Sequence, residues 1–329
     1  MLSRQIKALV FLLVVTAVLL IFARLTDSFG TIMASNAFFL ALACLFYVFS
    51  VVLWLFSWAV LIIKKQPKLQ FFGVFLAGCA SVYAALDPLQ LGSDAMRVIL
   101  LKDRFGHPYS DTLAASMITK GFKFLFIAAL ASVSIAFFFL LQADFIFRLA
   151  LLSGFGIIVL AALLFLLPVN KKIGLKIAGI FRRLGRAWKK FFIAEKFFVT
   201  YSNYLADAKK SVLAIVFLLV GFSFFLEFLA LYASFAAAGA FASLEIMFSL
   251  FILVSILERA PLPRGIGLIE PIGFFFVSIN APAIPAEKIV SAIIIFDIAR
   301  IIVPSILSLI VYSAITAKSP KKALQGKKQ

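Results

Sequence analysis

Eight mostly apolar runs divide this chain, at residues 6–25, 36–63, 70–86, 121–143, 149–168, 212–234, 238–257 and 288–316. A helix needs about 20 such residues to cross a bilayer, so each run predicts a membrane helix. Two interruptions stand between the runs. One reads Pro88-Leu89-Gln90-Leu91-Gly92 followed by Arg97, the other Pro261-Leu262-Pro263-Arg264-Gly265 followed by Glu270. Each is Pro-Leu-x-x-Gly with an ionisable residue five positions past the glycine, and every matched pair lies 173 residues apart. Proline and glycine end helices, and an ionisable residue at bilayer depth is costly. A repeated break of this kind is the sequence trace of a transport site made from discontinuous helices. The predicted architecture is an all-α polytopic membrane protein with about eight transmembrane helices. Two broken or re-entrant segments complete it, in an arrangement consistent with an inverted repeat.

Composition agrees with that architecture. Of 329 residues 64% are hydrophobic, and the mean hydropathy is +1.13. Arg4 and Lys7 precede an apolar run of about twenty residues, too long for a signal peptide and without a small-residue cleavage site. It is read as the first membrane helix. Cys44 and Cys79 lie inside predicted spans and suggest no disulfide framework. His107 is the only histidine, which argues against a histidine metal centre or a His-centred triad. No metal or cofactor is expected. No Gly-x-x-x-x-Gly-Lys-[Ser/Thr] motif is present, so energy would come from gradients or mass action.

The net charge of +18 is unevenly placed. Residues 170–211 hold eleven basic side chains against Glu195 and Asp207, half of the total. Lys64, Lys65 and Lys68 mark a second basic loop, and Lys318, Lys321, Lys322, Lys327 and Lys328 a basic tail. The positive-inside rule assigns these segments and both termini to the cytoplasm of a multi-pass cell-membrane protein. Nucleic-acid binding is not expected, because topology accounts for the charge. The chain divides as one integral membrane domain, with a first half at 1–168, a basic cytoplasmic loop at 169–211, a second half at 212–316 and a tail at 317–329. With plain spans alone the 169–211 loop would fall outside the cell. Parity is restored if 87–104 and 258–285 each act as a crossing, or as a re-entrant pair with that net effect, running in opposite directions. The segment 173–198 mixes large apolar and basic residues. It fits either an interfacial helix anchored by Trp188 and Phe191 or an ordinary cytoplasmic loop.

Candidate chemistry gathers at the breaks. After Gly92, Ser93 or Asp94 can cap a half-helix that carries Arg97. After the second break a half-helix is expected to begin near Gly265 or Ile266, with Arg264 at its N-terminus, Gly267 inside it and Glu270 about one and a half turns in. A helix N-terminus with an arginine suits a phosphate. The simpler reading of each break is a kinked turn with its charges among the head groups. Glu227 lies deep in an apolar run, and Asp297 and Arg300 lie three apart, where they can pair on one face.

These residues carry a family resemblance. Pro88 through Arg97, with Leu100-Leu101 and Ser110 to Ala115, resembles the first signature of the lysylphosphatidylglycerol synthase transmembrane-region family, also called flippase-like membrane proteins. Pro261 to Glu270 is similar to its second signature, Pro-x-Pro-Gly-Gly-x-Gly-x-x-Glu. Arg300 followed by Pro304 resembles its last-helix pattern. Departures are Arg264 and Ser93 in place of usual glycines, and Lys120-Gly-Phe-Lys123 where Glu-Arg-x-x-Asp is common. The resemblance implies a lipid-handling membrane domain, best known for moving aminoacylated phosphatidylglycerol between leaflets. Full-length members append a soluble aminoacyl-transferase domain. This chain ends at Gln329 in a lysine-rich tail, so it is not expected to synthesise the lipid itself. Partners implied are membrane lipids, anionic or aminoacylated, and a separate synthase or glycosyltransferase. Polyprenyl-linked sugars remain open as substrates. The alternatives to translocation are an intramembrane enzyme acting on a lipid head group, and a non-catalytic partner of a synthase.

Overall fold

A computed structural model describes residues 2–65, 70–86, 92–140, 145–187, 191–258 and 265–317. The described residues are almost entirely helical and contain no strand. In order they form α1 (Leu2–Leu25), α2 (Phe29–Met33), α3 (Ala37–Lys65), α4 (Phe71–Cys79), α5 (Gly92–Phe105), α6 (Tyr109–Leu140) and α7 (Phe145–Leu166). Then follow α8 (Lys171–Ala187), α9 (Phe191–Asp207), α10 (Lys210–Ala237), α11 (Leu244–Leu257), α12 (Ile269–Asn280), α13 (Ala286–Asp297) and α14 (Val303–Ala317).

All eight apolar runs carry helix, as hydropathy requires. Among the described residues, however, only four helices are both long and apolar enough to cross a bilayer. These are Ala37–Lys64, Tyr109–Ser134, Lys210–Ala237 and Ala286–Thr316. A fifth candidate is the pair Phe155–Leu166 and Lys171–Gly185, bent by 107°. Leu12–Leu25, Phe71–Ala84, Leu244–Leu257 and Ile269–Asn280 are shorter apolar helices. The 238–257 run shortens because residues 238–243 form the turn that ends α10. There Ala240 N–H reaches Phe235 O at 2.9 Å and Gly239 N–H reaches Ala236 O at 3.1 Å, which is the Schellman pattern.

The segments at the two breaks are short. α5 has 14 residues and α12 has 12, about 21 and 18 Å of helix. Each is a half-span helix, less than the roughly 30 Å of a hydrocarbon core. The 173-residue offset seen in the breaks also governs the helices around them. Ala37 and Lys210 open the two long helices and Phe71 and Leu244 the helices that follow, whereas Gly92 opens α5 and Ile269 opens α12, four residues beyond that offset. By Tyr109 and Ala286 the offset has drifted by four residues. Ser50 and Ser223 occupy matched positions and touch, with 3.1 Å between hydroxyls and a 2.9 Å bond from Ser223 Oγ to Ser50 O.

The chain forms two compact units that are not sequential halves. The first comprises residues 1–52, 76–96 and 223–329. In it α1 packs along α13 and the turn after it: Leu12, Val15 and Leu19 meet Ile301, and Ala23 meets Val290 and Ile294. The helical turn at Val82–Leu86 is held to α14, where Ser308 Oγ accepts from Tyr83 N–H at 3.0 Å and donates to Cys79 O at 2.7 Å. The second unit comprises residues 53–75 and 97–222. In it α6 packs on α7 and α8 on α9. Tyr204 on α9 donates to Leu61 O at 2.9 Å, joining that helix to the end of α3. The basic segment at 169–211 is therefore a pair of helices.

Candidate functional site

The second break is held from both of its sides. Gly265 has φ +71 and sits against the end of α11. A Cβ placed there would lie 2.8 Å from Leu257 O. Only glycine accepts both the left-handed backbone and that approach. Gly267 is also left-handed, at φ +85. Two such residues cannot propagate a right-handed helix, so α12 starts at Ile269 rather than near Gly265 or Ile266. Glu270 accordingly stands in the first turn, not one and a half turns in. Its Oε2 accepts from Gly267 N–H at 2.7 Å, so the carboxylate satisfies an amide at the positive end of the helix. Pro261 to Arg264 lie outside the described residues.

Opposite the break, the last long helix loosens into a π-turn at Ile298–Ile302 between α13 and α14. Pro304 explains it. A proline ring clashes with the carbonyl four residues back, here Arg300, and supplies no N–H. Widening the turn relieves the clash and rotates the side chains. Arg300 is fully buried. It donates through Nε to Asp297 Oδ1 at 2.6 Å and through Nη1 to Glu258 Oε1 at 3.1 Å. Glu258 is the residue that ends α11. Glu270, at the start of α12, lies beside Asp297, close enough for the two carboxyls to interact directly. The π-turn thus sends Arg300 to one side of the break and Asp297 toward the other. Phe296 covers the guanidinium at 5.6 Å and is itself packed edge-on by Tyr47 at 6.1 Å.

Two carboxyls, Asp297 and Glu258, hold the Arg300 guanidinium, and a third, Glu270, lies against Asp297. Among the described residues no three acidic, histidine or cysteine side chains could hold a metal ion.

Glu227 is buried on α10 and accepts from Ser50 Oγ at 3.1 Å, beside the Ser50–Ser223 contact. At the first break, α5 begins at Gly92, with Ser93 and Asp94 buried inside its first turn. An acidic residue there is favoured by the helix dipole. Pro88 to Leu91 lie outside the described residues.

In the second unit Arg97 is fully buried. Its guanidinium lies 4.4 Å from the Trp54 ring and 5.4 Å from that of Trp58. The two tryptophans are four residues apart on α3 and so share one helix face. Aromatic faces let a guanidinium be buried at reduced cost. Sequence reasoning passed over Trp54, Trp58 and Glu258. The signal for the first two was present: two of the three tryptophans in the chain lie at helical spacing.

A protein-family model described as the lysylphosphatidylglycerol synthase TM region matches residues 7–308. The chain belongs to that family. A curated relative within reach is a UPF0104 membrane protein of Methanothermobacter thermautotrophicus. It is 25% identical over an alignment covering 94% of this chain and 93% of that protein. No solved structure matches. Membership of the lysylphosphatidylglycerol synthase TM region family, with several long apolar helices, makes this a multi-pass membrane protein with a lipid-related role.

Proposed function

We propose that this chain translocates a phospholipid between leaflets, and that its preferred head group carries a positive charge. The observation that carries the reading is the Arg300 cluster at the second break. A membrane protein buries charge only where it is paired or used. Here two buried carboxyls, Asp297 and Glu270, lie side by side next to the Asp297–Arg300 ion pair. Such a carboxyl pair attracts an ammonium, as on an aminoacyl or ethanolamine head group. Within the second unit, Arg97 is a buried cation beside Trp54, and a guanidinium is suited to a lipid phosphate. Two half-span helices and a π-turn are the kind of elements that discontinuous-helix transporters place at a substrate site. The termini and the basic segments face the cytoplasm on this reading.

The test is reconstitution of the purified protein in liposomes with fluorescent phospholipids, following leaflet exchange and head-group chemistry together. Exchange of chemically unchanged lipid, lost in Arg97→Ala and Glu270→Ala, supports translocation. Altered lipid without exchange would assign head-group chemistry instead and overturn the proposal.

A further inference from the structure

The basic helix α8 has three distinct sectors. Helical spacing places Gly174, Ala178, Phe181 and Gly185 on one of them. That sector is packed on α9: Phe181 stacks on Phe198 at 5.1 Å, and a Cβ at Gly174 would meet Ser202 Cβ at 2.8 Å. The next sector is apolar, with Ile173 and Ile177 half-buried, Ile180 57% exposed and Leu184 45% exposed. The third carries Lys172, Lys176 and Arg183, all exposed, flanked by Lys171 and Arg182, with Leu175 among them. Exposed apolar side chains on a soluble face would be a liability. Here they follow an exposed apolar stripe on the preceding helix. On α7, Ile157, Leu160, Leu163 and Leu164 are exposed, the stripe reaches Leu167, and the chain then turns by 107° into α8.

We infer that α8 lies in the membrane interface and docks on anionic lipid, with its apolar sector among the acyl chains and its cationic sector among acidic head groups. The occupant follows from charge and continuity. Along the path just described, an exposed apolar stripe passes through the bend into a sector edged by lysine and arginine. That is the chemistry of an interfacial helix on an acidic leaflet. By the positive-inside rule this is the cytoplasmic leaflet. The docking is independent of which lipid is translocated.

The test uses the full chain with Cys44→Ala and Cys79→Ala, and a single Ile180→Cys labelled with an environment-sensitive fluorophore. The protein is reconstituted in vesicles of phosphatidylcholine alone or with added phosphatidylglycerol. With phosphatidylglycerol the probe should be quenched by shallow spin-labelled lipid and shielded from aqueous iodide. Shielding should fall about twofold or more in phosphatidylcholine alone, at high salt, or in Lys172→Gln/Lys176→Gln/Arg183→Gln. Equal access to iodide in both membranes overturns the proposal, as does equal shielding that ignores the charge variants. Shielding that appears in detergent and grows with protein concentration would assign the face to a second copy and also overturn it.

Discussion

Arg300 and Glu258 are separated by 42 positions in the chain and meet at 3.1 Å, tying the π-turn of the last long helix to the end of α11. The same guanidinium holds Asp297 at 2.6 Å. Removing it takes from the fully buried Asp297 the guanidinium that holds it. Arg300→Ala should therefore destabilise the protein by about 3–5 kcal/mol. Arg300→Lys should not restore the loss, because an ammonium lacks the fixed fork that reaches both carboxylates. Chemical denaturation in detergent, with Glu258→Gln as the second arm of a double-mutant cycle, measures the coupling.

The two glycines of the second break should not be equivalent. Gly265→Ala meets both a left-handed backbone and the Leu257 carbonyl at 2.8 Å, whereas Gly267→Ala meets only the backbone penalty in open space. The backbone term alone is about 1–2 kcal/mol. Thermal unfolding should show Gly265→Ala as the more destabilised of the two.

Arg97 should couple more strongly to Trp54 than to Trp58, since the ring distances are 4.4 and 5.4 Å. Cycles pairing Arg97→Gln with Trp54→Leu and with Trp58→Leu should give about 0.5–2 kcal/mol, the larger value for Trp54.

His107 sits in the turn between α5 and α6, fully buried. Burial pushes its pKa below the usual histidine value, and the nearby Asp111 opposes that only partly. The neutral ring is thus the folded form. Its stabilising contribution is complete above the unfolded pKa of about 6.5 and is lost as pH falls through the lower folded value. Melting temperature should drop on acidification below about pH 6.5, and His107→Gln should flatten that part of the profile.

Hydropathy made the helical class, the apolar runs and the paired breaks legible, because burial in lipid is written directly into side-chain type. Motif similarity identified the family. The register of the site was less legible. Glu270 moved to the first turn of α12 because two left-handed glycines delay that helix, a backbone effect that side-chain patterning does not encode. Asp297 and Arg300 do pair, but through a π-turn that only the position of Pro304 hints at. Glu258 was not among the residues that the sequence singled out, yet it is a partner of Arg300. Among the described residues only four or five spans are long and apolar enough to cross, and the count of eight is not confirmed, since hydropathy sees apolar residues in the turn after α10 as readily as in a helix.

The central claim is that the Asp297–Glu270 carboxyl pair beside Arg300 selects a cationic head group. Its most direct test is the leaflet-exchange rate of a fluorescent amine-bearing phospholipid against fluorescent phosphatidylglycerol, in wild type and in Asp297→Asn. Faster exchange of the amine-bearing lipid in wild type, with the preference erased by Asp297→Asn, is the predicted result. Equal rates in wild type, or a preference untouched by Asp297→Asn, would contradict the claim.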